Sequence, residues 1–485
     1  MTGGGGANGD GGGPAGSATN ADLPPHSTDI DEECRRVVQA LAAVFSADAA
    51  AAATAETRPG SADASADAVS GLAASRDVAN RYLTSFQRQA VAWMVCDRLL
   101  NAGGGAGGGN SPEAVQSQFF AAQTLHAKCR TDVVQLPPDS LPSLRDSLMN
   151  HLTRASSSGG VGGNRALVTR LAMASAALAV QMSWFSVIED VLSSVLGVNL
   201  GGGPSDSNGS ADTMTPTRPE LVPAALELFK LLPEETCSDR LILEDDRLRN
   251  QFGRRLEDSS GMVMAFLLRT AKTNAELGQD EENLTITENV LHTLHSWVRY
   301  VRFHPRMLEG SPLVEWTFHV LADPRYEGDC YEAAVDVIVE ILRAFPSDYP
   351  ENERLVHCVI PLAMALGRPE PDGPFRSALV SADEDLLRGY CRIFTEMGES
   401  YMSLIMCHRE LNQAALVDLV LDCSAIPDKG RSTGDCDSIF LLIIFARSCS
   451  NSTHTKFPLF RLPKHRNRFD YAPLLVSIRF LVRGS

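Results

Sequence analysis

The sequence predicts an all-α fold in which antiparallel helix pairs stack in a right-handed solenoid. Three observations predict it. Apolar residues recur at helical spacing through residues 31–428, no convincing stretch alternates apolar and polar as a half-buried strand does, and the Gly-rich runs fall outside or between the stripes, where loop insertions belong. Composition agrees: 44% of residues are hydrophobic but only 6% aromatic, a core of Leu, Ala, Val and Ile that suits helix-on-helix packing.

Along the chain, residues 1–30 are mostly Gly, Ala, Ser, Asn and Pro, with little to bury, and read as a disordered tail. Cys34, Val37, Leu41, Val44 and Phe45 form the first stripe, followed by an Ala/Ser/Asp segment, 46–75, that reads as an insert. Its Ala content favours helix, but it has no stripe by which packing could hold it. From Arg76 the pattern becomes insistent, and Phe86, Ala90, Trp93 and Leu100 line one face of a helix ended by Gly103–Gly109. Ser111-Pro112-Glu113 supplies an N-cap, a first-turn proline and an acid for the next helix, through about Arg130. Leu144, Leu148 and Leu152 mark another. Leu167, Leu171, Ala174, Leu178 and Met182 form a long stripe after the Gly break at 159–163.

The pattern then repeats. Helices are predicted over 184–196, 221–232, about 261–277, 284–303, and 312–321 opened by Ser311-Pro312. Cys330–Phe345, 381–406 with Ser381 and Glu384 as a capping box, and about 411–423 complete the series. Pairs of helices 12–20 residues long recur at about the 40–47 residue period of HEAT/armadillo-like arrays.

Charge and cysteine usage bound the partners. The net charge is −17, yet residues 429–485 carry ten Lys/Arg against three acids, so the remainder sits near −24. An acidic body disfavours direct nucleic-acid binding and suits basic protein partners, although a merely solvated acidic surface would look the same. Eleven scattered cysteines with no C-x-x-C pair read as reduced thiols. No signal peptide or membrane-length apolar run appears.

Enzyme signals are weak. Gly430-Arg431-Ser432-Thr433-Gly434 matches a nucleophile-elbow string without the strand and helix that must flank it. Gly103, Gly105 and Gly108 match a phosphate-loop pattern only because the run is nearly all Gly. His292 and His295 sit at helical spacing near His304 but lack further ligands, so a polar helix face is preferred to zinc. Asn451-Ser452-Thr453 is a glycosylation sequon that a cytosolic chain does not use. The chain reads as non-enzymatic, without metal or cofactor, and Trp93 and Trp184 read as core.

Several strings, in order, resemble one family. Phe119-Phe120-Ala121-Ala122-Gln123-Thr124-Leu125, Leu144-Arg145-Asp146-Ser147-Leu148, Leu178-Ala179-Val180-Gln181-Met182, Leu231-Leu232-Pro233-Glu234-Glu235 and Tyr390-Cys391-Arg392-Ile393-Phe394-Thr395-Glu396 are similar to the transportin-SR branch of the importin-beta (karyopherin-beta) nuclear transport receptors, over roughly residues 31–428. The resemblance implies importin N-terminal-like repeats over 31–131, exportin-like HEAT repeats over 132–280 and further HEAT repeats over 281–428. It also implies binding of the GTP form of a Ran-type GTPase by the N-terminal repeats, carriage of Arg/Ser-rich splicing-factor cargo, passage through nucleoporins, and shuttling between cytoplasm and nucleus. The GTPase surface would be lined by the second helices of the first pairs, about 76–88, 112–131 and 164–182. Gln123, Lys128 and Arg130 are its candidates, with Asp97 and Arg170 further out; each could equally be an ordinary solvated helix residue.

The sequence departs from the family where the insert interrupts the first pair, where the Gly-rich loops are long, and from Lys429, where the resemblance stops. The family's second half is missing, and 429–485 reads as a divergent basic tail, disordered or mis-spliced. An end without a polar cap is expected to fray. The alternative to a transport receptor is a helical scaffold without GTPase coupling.

Overall fold

The computed structural model describes residues 27–56, 63–102, 111–157, 165–198, 216–243, 245–278, 280–302, 304–367 and 373–407, together with Leu419. Among them the regular elements are helical, and no strand occurs. In chain order they are α1 (Ser27–Glu56), α2 (Asp63–Gln87), α3 (Val91–Ala102), α4 (Pro112–Thr131), α5 (Leu141–Ser157), α6 (Arg165–Gln181), α7 (Val187–Asp190), α8 (Val222–Cys237), α9 (Asp246–Leu277) and α10 (Glu281–Tyr300). Then follow α11 (Pro312–Ala322), α12 (Asp329–Ala344), α13 (Glu353–Leu366), α14 (Pro374–Ser381) and α15 (Glu384–Cys407). They group into two compact units divided between Thr124 and Leu125, inside α4.

In the first unit α1 packs against α2 and α3. Val37, Leu41, Leu83, Phe86 and Trp93 are buried, and Phe86 stacks on Phe120 with centroids 6.3 Å apart. Helical backbone runs into both ends of the segment read as an insert, since α1 continues to Glu56 and α2 begins at Asp63. Alanine's high intrinsic helix propensity accounts for this without a stripe. The face expected to run through Phe86, Ala90, Trp93 and Leu100 is instead shared by two helices, broken by a turn at 88–90 where Arg88 N and Gln89 N donate to Ser85 O and Phe86 O. No Gly or Pro announces that turn; folding α3 back onto α1 and α2 selects it.

The second unit is two-layered. One layer is a row in which α6, α8, α10, α12 and α15 each pack on the next; in the other, α9 and α11 touch, as do α11 and α13. The row helices begin at residues 165, 222, 281, 329 and 384, a step of 48–59 residues rather than 40–47. Long connections and the 32-residue α9 stretch the period. Helices in the row are wetted along a strip only. In α6, Ala172, Ala174, Ala176, Ala177 and Ala179 are all buried, small enough to let neighbours approach on several sides.

Some caps follow the sequence and one does not. Ser111 Oγ accepts from Ala114 N at 3.2 Å, and Ser311 Oγ from Leu313 N at 3.3 Å. At α15 the cap is Asp383, whose Oδ1 accepts from Asp385 N and Leu386 N at 3.2 and 3.1 Å, whereas Ser381 closes α14 by donating to Ala378 O. Ala382, at φ 55°, turns the chain between them and displaces the expected Ser381 box. The helix expected from 184 starts at Val187 and passes into a π turn, Val191–Val195, after a turn in which Ser183 has φ 56°. In α9 the stripe begins with Phe252 and Leu256, hidden in sequence by a charged stretch and Gly253. Helices α13 and α14 had no counterpart in the expected series; α13 buries one face, Leu355, Val356, Val359, Ile360, Ala363 and Leu366, but contains Pro361, which interrupts the pattern in sequence. The helix expected at 411–423 lies outside the described residues except Leu419, which is helical, buried and set against Gly367.

Close approach at one glycine joins the last two row helices. Tyr331 of α12 donates its hydroxyl to Leu386 O at 2.7 Å, and its ring lies so near Gly389 that an added Cβ would meet Tyr331 Cε1 and Oη at 2.5 Å. Tyr390 packs edge-on to Tyr331, and Phe375 of α14 edge-on to Phe394. Gly389→Ala is therefore expected to destabilise the α12–α15 contact by about 1–3 kcal/mol. The check is chemical denaturation; an unchanged midpoint would contradict it.

Candidate partner-binding face

The residues expected to contact a GTPase fall in different settings. In the first unit, Gln123 is exposed, and half-buried Asp97 accepts from Asn101 Nδ2 at 3.2 Å. In the second unit, Lys128 is 1% exposed, its ammonium held by Asp132 Oδ2 at 3.1 Å and Gln135 Oε1 at 2.8 Å. Lys128 therefore points inward rather than to a partner. Helical phase could have revealed this, because Ala121, Thr124 and Lys128 share one buried side of α4. Arg170 is half-buried, with Nη1 3.7 Å from Met173 Sδ. Trp93 and Trp184 are both buried, and Trp184 Nε1 donates to Asp190 Oδ2 at 2.6 Å.

Arg130 belongs to an internal knot. It pairs through Nε with Glu235 Oε2 at 2.9 Å and through Nη2 with Glu235 Oε1, while His126 Nε2 lies 3.2 Å from Oε1. Burial works against ionisation of Glu235, but the hydrogen bonds from His126 and Arg130 outweigh it and hold the carboxyl below its ordinary value. The same joint takes in the connection after α8. Ile242 N donates to Arg130 O at 3.0 Å, Gln181 Nε2 donates to Ile242 O at 2.8 Å, and Arg249 donates to Ser238 O and Leu241 O at 3.0 Å each. This knot was not read from the sequence, since its partners are separated by 105 and 109 residues.

The row of helices carries a second feature that the sequence did not reveal: a ladder of ion pairs and hydrogen bonds across the seams. Arg165 of α6 reaches Glu288 of α10 at 2.9 Å, and Thr169 of α6 donates to Glu227 of α8 at 2.9 Å. His295 and Arg299 of α10 lie 3.9 and 3.7 Å from Glu340 of α12. Arg343 of α12 donates to Glu396 of α15 at 2.7 Å, and Arg392 of α15 to Asp336 of α12 at 2.7 Å. Glu227, Glu288, Glu340 and Glu396 are only 8–13% exposed, and Asp336 38%. The four arginine side chains over them are 48–59% exposed. Carboxylates thus sit in the seams with guanidinium groups above. Further acids, Glu281, Asp329, Glu332 and Glu399, are exposed on the same helices.

His292 adds to one rung, 3.4 Å from Glu288 Oε1. Hydrogen bonding from His292 and Arg165 overcomes burial and lowers the Glu288 carboxyl to about 2. A carboxyl depressed in the folded state stabilises above its unfolded value and loses that contribution as pH falls. Glu288→Gln should therefore be less stable than the native chain at neutral pH, with the difference shrinking from about pH 4.5 down to about 2. Paired acid titrations of stability test this, and a pH-independent difference would contradict it. Burial holds His295 below its ordinary value against the pull of Glu340. His304 caps a short 3-10 turn by accepting from Arg306 N. Among the described residues no group of three His, Cys, Asp or Glu is placed to hold a metal, and no helix is long and apolar enough to cross a membrane. The Gly103–Gly108, Gly430–Gly434 and Asn451 strings, and all of 429–485, lie outside the described residues.

Comparison with known proteins agrees with this architecture. The family model described as Exportin 1-like protein matches residues 164–348, and that of the Transportin-3/Importin-13 second TPR domain matches 382–430. Transportin MOS14 of Arabidopsis thaliana is 28% identical over 356 residues, covering 72% of this chain and 32% of that protein. The mRNA transport regulator MTR10 of Saccharomyces cerevisiae is 26% identical over 367 residues, 72% of this chain and 33% of its own length. Importin-13 of Bos taurus is 26% identical over 362 residues, covering 73% and 32% respectively. The chain therefore spans about a third of the length of these relatives. With matches along most of its helical region, the chain is similar to proteins of the exportin/importin-beta family.

Proposed function

We propose that this chain is part of a nuclear import receptor of the transportin-SR type. It binds a Ran-type GTPase in its GTP form through the N-terminal helix pairs, carries Arg/Ser-rich protein cargo past nucleoporins, and shuttles between cytoplasm and nucleus. The observation that carries this reading is the collinear similarity to receptors named transportin and importin over most of the helical region. The ladder supports a basic cargo, because carboxylates line successive seams of the helix row and the chain outside 429–485 is strongly acidic. Exposed Gln123 and half-buried Asp97 and Arg170 are the GTPase contacts that this reading retains from the sequence, and Arg130 acts there by shaping the end of α4.

Release of cargo by the GTPase would be negative coupling between two ligands of one array. Retention on immobilised Ran loaded with GTP, compared with GDP, tests the reading. Selective retention of the GTP form is expected; equal or absent retention would overturn GTPase coupling and favour a helical scaffold.

A further inference from the structure

Resting on that reading of a basic partner, we infer that Arg343 and Arg392, with Arg165 elsewhere in the row, are intramolecular stand-ins for the partner's guanidinium groups and lower its affinity by occupying the carboxylates it needs. Each pair sets a guanidinium against a carboxylate of a different row helix. Glu396 takes one guanidinium hydrogen bond, from Arg343, and one from Ser400 Oγ at 3.3 Å. Asp336 takes Arg392 alone among its side-chain donors, and Glu288 takes Arg165 with His292 alongside. In each case the carboxylate belongs to one row helix and the guanidinium to another, reaching across from a stem about half exposed.

A carboxylate offers about four acceptor positions, and a guanidinium fits it in a planar fork. A basic segment lying across the row would meet the resident arginines first. Row neighbours are about 8–10 Å apart and an extended chain advances about 3.3 Å per residue, so successive seams recur near every third residue of such a segment. Each guanidinium is about half exposed, so water competes for it and the pair can exchange. Being tethered, the residents compete at high effective concentration, and a partner's apparent affinity falls by the fraction of time the site is covered.

The test uses the full chain and a fluorescent peptide of alternating Arg and Ser, followed by anisotropy. Arg343→Gln/Arg392→Gln keeps much of each stem but removes both cations from the α12–α15 seam, and roughly three- to tenfold tighter binding is expected. Arg247→Gln/Arg354→Gln changes net charge equally on exposed α9 and α13 positions away from the row, and should leave binding nearly unchanged. Arg165→Gln repeats the test at the Arg165–Glu288 bridge from α6 to α10 should circular dichroism show the double variant unfolded. Unchanged or weaker binding by the row variants, or an equal gain in the control, overturns the stand-in role and leaves the basic-partner reading intact. Absence of binding by every form, native included, overturns both.

Discussion

Glu235→Ala is expected to destabilise the second unit by about 3 kcal/mol, at the lower end of the range for breaking a buried ion pair. Glu235 is 2% exposed and holds two partners, Arg130 and His126, from α4. Removing the carboxylate leaves a guanidinium only 17% exposed without its counter-charge. It also loosens the end of α4, whose Arg130 carbonyl accepts from Ile242 N and Gln181 Nε2. Amide hydrogen exchange at Ile242 and along the last turn of α4 should rise well before exchange in α10 or α12. Glu235→Gln keeps one acceptor and should cost less. If the glutamine variant is as stable as the native chain, the ionic part of this knot contributes nothing measurable.

Trp297→Ala should be as damaging, at about 3–5 kcal/mol, because a large buried ring is lost along with a specific hydrogen bond. The bond arises from a local fault in α8. Pro233 lies inside that helix and has no N–H, so the Phe229 carbonyl four residues earlier loses its intrahelical donor. Trp297 of α10 donates to that carbonyl at 2.9 Å, and neighbouring Ser296 donates to Lys230 O at 2.6 Å. A double-mutant cycle isolates the effect. Trp297→Phe alone should cost about 1–3 kcal/mol by leaving a buried acceptor unpaired. In a Pro233→Ala background, where residue 233 regains its N–H, the same substitution should cost clearly less. Strict additivity would mean that the proline does not create the need for the indole.

Much of the array was legible because helical periodicity is local. The stripe Leu167, Leu171, Ala174 and Leu178 is buried throughout, and Ser111 and Ser311 cap the helices they precede. These features need only neighbours within two turns. Legibility failed where a helix breaker stood inside a stripe. Helix α13 buries Leu355, Val356, Val359, Ile360 and Ala363 at helical spacing but contains Pro361, and the charged start of α9 contains Gly253 between Phe252 and Leu256. It failed again where a turn carried no Gly or Pro, as at 88–90.

The site was much less legible than the fold. Lys128 looked like a surface cation, yet its aliphatic stem and ammonium lie inside, satisfied by Asp132 and Gln135. Arg130 was selected for a partner and is spent on Glu235. None of the seam pairs could be matched in advance, because Arg165 and Glu288 stand 123 residues apart and Arg343 and Glu396 stand 53 apart.

By itself, then, the sequence determined that the chain is helical, where most helices begin, and which residues face a core, since burial patterns repeat with the turn of the helix. Only the tertiary structure decided which charges meet, which cations stay wet and which glycine must remain bare. Those outcomes depend on which helices become neighbours, and adjacency in space is set by the stacking of whole helix pairs rather than by any short stretch of residues.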